Sequence, residues 1–137
     1  LVVAIGALAQ AENALAKTIE YIKSRSAFGT TIDKFQNTRF KIAELATEVQ
    51  VGRVFLDKCV ELHNDKKLDQ ATASMAKYWL TDLQYKVAEE GLQLHGGYGY
   101  IWEYDIARAW ADSRVQRIYA GTNEIMKELI ARSVLGK

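Results

Sequence analysis

No proline occurs anywhere in this chain of 137 residues. Proline removes a backbone donor and clashes with the preceding helical turn, so its absence leaves long helices free to run. The apolar residues use that freedom. Leu1, Ile5, Leu8, Leu15, Ile19 and Ile22 keep a 3–4 spacing with Glu12 at the one missing step, which predicts a helix over residues 1–24. Ala4, Ala7, Ala11 and Ala14 flank this stripe and allow neighbouring helices to approach closely. Glu12, on an otherwise apolar seam, is expected either to pair with a basic group of another helix or to sit at the edge of the stripe, rather than to be catalytic. Residues 26–34 form a break containing Phe28-Gly29-Thr30-Thr31, with Asp33 the expected N-cap of the second helix. That helix is predicted over 35–63, with Ile42, Leu45, Val49, Gly52, Leu56 and Cys59 on one face. After a polar turn at Asn64–Lys67, Asp69 caps a third helix over 70–94. Ala76, Leu80, Leu83, Val87, Gly91 and Leu94 form its stripe, and Gly96, Gly97 and Gly99 end it. Shorter helices fit 104–117 and 123–134. No alternation of period two is long enough for a buried strand, and no tandem repeat is visible. The expected fold is all-α, an up-and-down bundle of four to five helices joined by short loops, with residues 1–137 as a single domain.

Composition narrows the function classes. A net charge of +1 gives no electrostatic footprint for nucleic acid or an anionic membrane. No apolar run is long enough for membrane insertion. The single cysteine, Cys59, excludes an internal disulfide. It lies in an apolar helical pattern that fits a packed residue better than a nucleophile. No metal-ligand set stands out. Leu1 opens directly into a helical pattern without an initiator Met or signal peptide, so the chain is expected to be a piece of a longer polypeptide.

Three segments could carry chemistry. In Gln93-Leu94-His95-Gly96-Gly97-Tyr98-Gly99-Tyr100, the glycines let backbone N–H groups approach a ligand; a helix end followed by a tight turn explains them equally simply. Gly121-Thr122-Asn123 precedes a helix, where free N–H groups and a Thr hydroxyl can hold an anion or a carbonyl, or merely cap. Arg25-Ser26-Ala27-Phe28-Gly29 places an arginine at a helix end, where it can bond the last carbonyls or clamp a phosphate.

Together and in this order, Arg25-x-x-Phe28-Gly29, Phe35-Gln36, Gln93-x-x-Gly96-Gly97-x-Gly99-Tyr100 and Ile118-Tyr119-x-Gly121-Thr122-x-Glu124 make a specific constellation. It resembles the acyl-CoA dehydrogenase family, specifically its C-terminal helical domain, over the whole chain. Lys41-Ile42-Ala43-Glu44-Leu45 and the run Ile125 to Arg132 agree. The resemblance implies a larger flavoprotein of which this is one domain. Its cofactor is FAD and its substrate an acyl-CoA thioester, dehydrogenated between the α and β carbons as in fatty acid β-oxidation, and electrons leave to an electron-transfer flavoprotein. It also implies a homo-oligomer, a dimer or tetramer, in which one subunit's FAD is held partly by its neighbour's C-terminal bundle. The setting is bacterial cytoplasm or the mitochondrial matrix. By motif, Arg25 and Ala27 match positions beside the flavin pyrophosphate, and Phe28, Phe35 and Gln36 positions beside the cofactor. Gln93, Leu94, His95, Gly96 and Gly97 match the run holding the adenosine half of a partner's FAD. Thr122, Asn123 and Glu124 match a further cofactor contact, and Tyr119 and Gly121 border the thioester.

Ala120 departs from the pattern. Much of the family carries there the glutamate that removes the substrate α-proton, and a methyl group accepts no proton. Ala111-Asp112 likewise stands where many members have Arg-Asp. Both departures resemble the long-chain and isovaleryl branches, in which the base is a glutamate on the preceding helix, about two residues before Leu1. No catalytic residue is therefore expected in this chain. Two other readings stay open: a catalytically silent helical assembly module, and an oxidase-like flavoprotein on the same fold. The isolated piece is expected to fold, to bind FAD weakly, and to self-associate through the apolar surface left by the missing domains.

Overall fold

The computed structural model describes residues 1–136. Five helices follow one another: α1 (Val2–Ser24), α2 (Gln36–Asn64), α3 (Gln70–His95), α4 (Asp105–Gln116) and α5 (Asn123–Leu135). The all-α expectation holds, and the helix bounds fall within a residue or so of those read from periodicity. The break after α1 contains a feature too short for any periodicity to reveal, a two-residue antiparallel ladder of β1 (Ser26–Ala27) and β2 (Thr30–Thr31). Its tip is Phe28 and Gly29, both at positive φ (52° and 81°).

Cross-helix pairs fix the directions. Gln84 donates to Gln10, and the Tyr21 hydroxyl donates to the His95 carbonyl at 3.2 Å. Both pairs are separated by 74 residues, so α1 and α3 run parallel. The ion pairs Lys41–Glu90 and Lys86–Glu48 progress in opposite senses along α2 and α3, which are antiparallel. The expected partner of Glu12 is Arg53 of α2, whose Nε and Nη2 donate to the two carboxylate oxygens at 2.9 and 2.6 Å.

α3 packs against each of the other four helices. The core unites Leu8, Leu15, Leu45, Leu56, Leu80, Leu83 and Val87 with a run of alanines and Cys59. Burial raises the Cys59 thiol's pKa, as suits a packed residue. Gly52 leaves no room for a side chain between α1, α2 and α3: a Cβ there would lie 3.0 Å from Leu80 and 3.2 Å from Leu8.

Two expectations need correction. The buried seam of α1 is Ala4, Ala7, Leu8, Ala11, Ala14, Leu15, Thr18 and Ile22, whereas Ile5 faces outward. The alanines sit at the interface because small side chains let α1 lie close to α3, and Ile5, about 100° round the helix from Ala4, falls off the face that Ala4, Leu8, Ala11 and Leu15 define. Asp33 does not cap α2; that position belongs to Phe35, without a side-chain bond. Asp33 sits within a 3-10 turn over Ile32–Lys34, and a hydrogen bond from Thr31 holds its carboxyl below the usual range. Asp69 does cap α3, accepting from the Thr72 N–H at 2.9 Å.

Candidate functional site

The C-terminal end of α1, the short β1–β2 hairpin and the C-terminal end of α3 enclose a groove of about 820 Å³. Nearly all the cofactor candidates from Arg25 to Gly97 line it: Arg25, Ala27, Phe28, Phe35, Gln93, Leu94, His95, Gly96 and Gly97. Gln36, exposed at the first turn of α2, is not among the lining residues. The groove adds Tyr98 from the same glycine-rich segment, and Tyr21, Ile32, Asn37, Thr38 and Ile101, which sequence reasoning did not single out as site residues. For Tyr21 a signal existed, since it lies one helical turn before Arg25 on the same face.

The floor is a stack of rings. Tyr21 lies against His95 with centroids 4.0 Å apart, and Tyr104 meets both edge-on. His95 is buried and its Nδ1 lies 2.7 Å from the Gly91 carbonyl. A carbonyl only accepts, so Nδ1 carries the proton and Nε2 is left as an acceptor. Burial lowers the His95 pKa, with the Gly91 bond opposing in part. The imidazole is neutral near pH 7. Above the stack the chain turns through Gly96 at φ 60°. A Cβ on Gly96 or Gly97 would meet nothing within 4 Å, so their backbone faces open space. Gly99 is different, because a Cβ there would run into the Leu92 carbonyl oxygen. At the rim, the Arg25 guanidinium lies 5.1 Å over the Tyr98 ring rather than on the carbonyls of α1. The Phe28 side chain is 97% exposed. An apolar, aromatic groove with an exposed glycine backbone and one cation suits a planar ring system joined to phosphates, although the Gly96 N–H is itself spent on the Gln93 carbonyl. The residues present therefore fit part of a flavin dinucleotide.

The remaining candidates lie elsewhere. Asn123 is almost fully buried and binds the middle of α3. Its Oδ1 accepts from Lys77 Nζ at 2.8 Å, and its Nδ2 donates to the Tyr78 carbonyl at 3.2 Å and to Asp82 at 3.0 Å. Lys77 is itself buried, which lowers its pKa. Among the described residues no carboxylate lies within salt-bridge distance of it. Thr122 caps α5, accepting from the Ile125 N–H at 3.3 Å. Tyr119, Ala120 and Gly121 are exposed on the preceding turn, where Ala120 and Gly121 both have positive φ (53° and 88°). Thr81 and Asp82, beside Asn123, lie eleven or twelve residues before Gln93 on α3. At 1.5 Å per residue the two sets of candidates are about 17 Å apart along the helix. Lys77, Asp82 and Arg117 were not singled out from the sequence. The available signal was a lysine next to Ala76 on an apolar helix face.

Comparison with known proteins places this geometry. The pattern of the acyl-CoA dehydrogenase C-terminal domain matches residues 1–135. The chain belongs to the acyl-CoA dehydrogenase family. It is 53% identical over 135 residues to the mitochondrial long-chain specific acyl-CoA dehydrogenase of Mus musculus, covering 98% of this chain and 31% of that protein. Among solved structures, an acyl-CoA dehydrogenase from Geobacillus kaustophilus superposes with a TM-score of 0.95 at 49% identity, over 97% of this chain and 35% of that one. A glutaryl-CoA dehydrogenase from Mycobacterium smegmatis, solved in complex with FADH2, gives a TM-score of 0.95 at 26% identity, over 98% and 35% of the two chains. The chain thus spans about a third of the length of the relatives it matches. No helix of the described residues is long and apolar enough to cross a membrane. No group of three or more His, Cys, Asp or Glu among them could hold a metal ion.

Proposed function

We propose that this chain is the C-terminal helical domain of an FAD-dependent acyl-CoA dehydrogenase that forms the α,β double bond of an acyl-CoA thioester. The single observation that carries this reading is the groove gathering the Arg25–Phe28 and Gln93–Gly97 segments, which are far apart in sequence, around one aromatic floor. In this reading Arg25 binds a phosphate of the cofactor. The Gly96 and Gly97 backbone admits its adenosine half, and Phe28 and Phe35 cover its ring. FAD, when bound, accepts the hydride equivalent from the β-carbon. The second set, Thr122, Asn123 and Glu124, lies about 17 Å away along α3. That separation supports an arrangement in which the groove serves a neighbouring subunit's cofactor while the α5 end serves its own, so the protein acts as a homo-oligomer.

Ala120 accepts no proton, and the base in this reading is a carboxylate about two residues ahead of Leu1. The register of α1 on α3 supports it. With the 74-residue offset of the Gln10–Gln84 and Tyr21–His95 pairs, Leu1 levels with Met75. That is close to Lys77, where Asn123 anchors the Ala120 turn. A residue just ahead of Leu1 therefore approaches the same end of the bundle as Tyr119 and Gly121, which border the thioester. Electron-transfer flavoprotein as acceptor and a location in bacterial cytoplasm or the mitochondrial matrix complete the proposal.

Anaerobic mixing of the full-length, FAD-loaded protein with straight- and branched-chain acyl-CoA esters tests it. Bleaching of the flavin absorbance is the expected result. An unbleached but dithionite-reducible flavin across the series would instead favour the assembly-module reading. Rapid reoxidation of bleached flavin by air would favour an oxidase.

A further inference from the structure

The segment from Arg117 to Asn123 is a closed loop clamped at its neck. The Asn123 N–H donates to the Arg117 carbonyl at 3.0 Å, which joins the two ends. Their side chains then converge on a single atom of α3: Oδ1 of Asp82 takes Arg117 Nε at 2.6 Å and Asn123 Nδ2 at 3.0 Å. The Arg117 guanidinium also lies 5.6 Å over the Tyr85 ring, one helical turn along α3. Within this clamp the chain passes through two consecutive residues at positive φ, and the first is an alanine. An L-residue with a Cβ disfavours that conformation, and it persists where the surroundings over-determine it. Capping of α5 does not need Asp82, because Thr122 supplies the cap.

We propose that Asp82 is a positioning residue: by tying both ends of the loop to α3, it sets Tyr119 and Gly121 against the acyl-CoA substrate. The kinetic part of this inference rests on the dehydrogenase reading above. The structural part, that one carboxylate sets the loop's conformation, does not. Asp82 touches neither the groove nor its lining residues, so its loss spares cofactor held there.

Two measurements on the full-length, FAD-loaded protein test it, using Asp82→Ala, Arg117→Ala, their combination and Arg117→Lys. In the first, amide hydrogen exchange is followed across residues 117–124 and across the middles of α3 and α5. Faster exchange by about tenfold or more, confined to the loop, is expected in each single variant. The double variant should add little, since both substitutions break one clamp, and Arg117→Lys, which keeps the charge, should restore much of the protection. Unchanged loop exchange in Asp82→Ala, or exchange raised equally throughout α3 and α5, would overturn the proposal. In the second, kcat and KM for acyl-CoA are compared at equal flavin content. At that equal flavin loading, a fall of about tenfold or more in kcat/KM is expected from a misplaced substrate contact. Loop-confined exchange with unaltered kinetics would overturn the positioning role, whereas a wild-type protein that turns over no acyl-CoA would overturn the dehydrogenase reading and leave the exchange result standing.

Discussion

The two ends of this bundle solve opposite problems. Around the groove, the polar groups that matter point outward. Arg25 is exposed, Gly96 and Gly97 are exposed with open space beside them, and the Phe28 ring is bare on a positive-φ residue. At the α5 end they point inward. Asn123 and Lys77 are buried and bonded to one another, and the exposed loop hangs from them. The α5 end is therefore set by this chain alone, because unmaking it strands a buried charge. The groove has a floor fixed by Tyr21 and His95 and an open rim, which in the reading proposed above another subunit's cofactor would cover. Buried polar anchors should respond to mutation in stability, and exposed ones in ligand retention.

Asn123→Ala should give the largest effect. It removes the hydrogen-bond acceptor of Lys77 and leaves an ammonium buried without a partner, at a cost of about 2–3 kcal/mol. Chemical denaturation of the full-length protein should show an earlier transition. An unshifted midpoint would mean that the anchor is dispensable and would erase the contrast. Arg25→Ala is the converse case. Thermal unfolding should hardly change, because exposed charges contribute little to stability. FAD retention should weaken about tenfold, the order expected for one charge-assisted contact to a phosphate. Flavin content after gel filtration, read beside the melting curve, separates the two. Normal flavin with a lowered melting temperature would reverse the assignment.

Much of this was legible in the sequence because helices announce themselves by period. The proline-free stripes placed the three long helices, the two shorter ones were fitted to the remaining segments, and Asp69 and Thr122 marked two of the starts. The groove's two segments were legible only through motif resemblance. Periodicity says nothing about which loops meet, and the packing of α1 parallel to α3 is what brings Arg25 to Gln93. Ile5 and Asp33 misled for physical reasons. An apolar residue on a stripe predicts burial only if the stripe is centred on the face that packs, and the buried face of α1 is centred on its alanines with Leu8 and Leu15, which leaves Ile5 to one side. Asp33 had capping chemistry, but the chain uses those residues for a hairpin and a 3-10 turn. The Asp82–Arg117–Asn123 clamp could not be read at all, since Asp82 is separated from the other two by the rest of α3 and all of α4 and meets them only once α4 folds back along α3.

His95 carries a smaller effect, and one that distinguishes floor from rim. Its folded-state pKa is depressed by burial, so the unfolded chain binds the proton more readily. Its contribution to stability is then fully present above the unfolded value of about 6.5. It is lost as pH falls through that value toward the lower folded one. Melting temperatures of wild type and His95→Leu between pH 8 and pH 5, chosen to span about 6.5, should converge on the acid side relative to their separation at high pH. A separation that does not change with pH would mean that the ring packs without its protonation state mattering. The rim residue Arg25 predicts no such slope, since a guanidinium stays charged throughout.

The smallest effect belongs to Ala120, and it tests the α5 end from the exposed side. At φ 53° its Cβ is disfavoured by about 1–2 kcal/mol relative to glycine. Glycine returns part of that advantage to the unfolded chain through its greater freedom there. Ala120→Gly should therefore stabilise the full-length protein slightly, by less than about 1 kcal/mol, if the clamp holds the backbone in place regardless of which residue occupies it. The sharper reading comes from doing this in the Asp82→Ala background. Without Asp82 the Arg117 side chain is released from α3 while Asn123 keeps its bonds to Lys77 and Tyr78, and that loosening lets the loop relax its strained alanine. Glycine then relieves nothing and leaves only its entropic cost, so the substitution should turn neutral or slightly destabilising. The same gain in both backgrounds would mean that the turn holds its own conformation, with the strain at Ala120 set by neighbours other than Asp82.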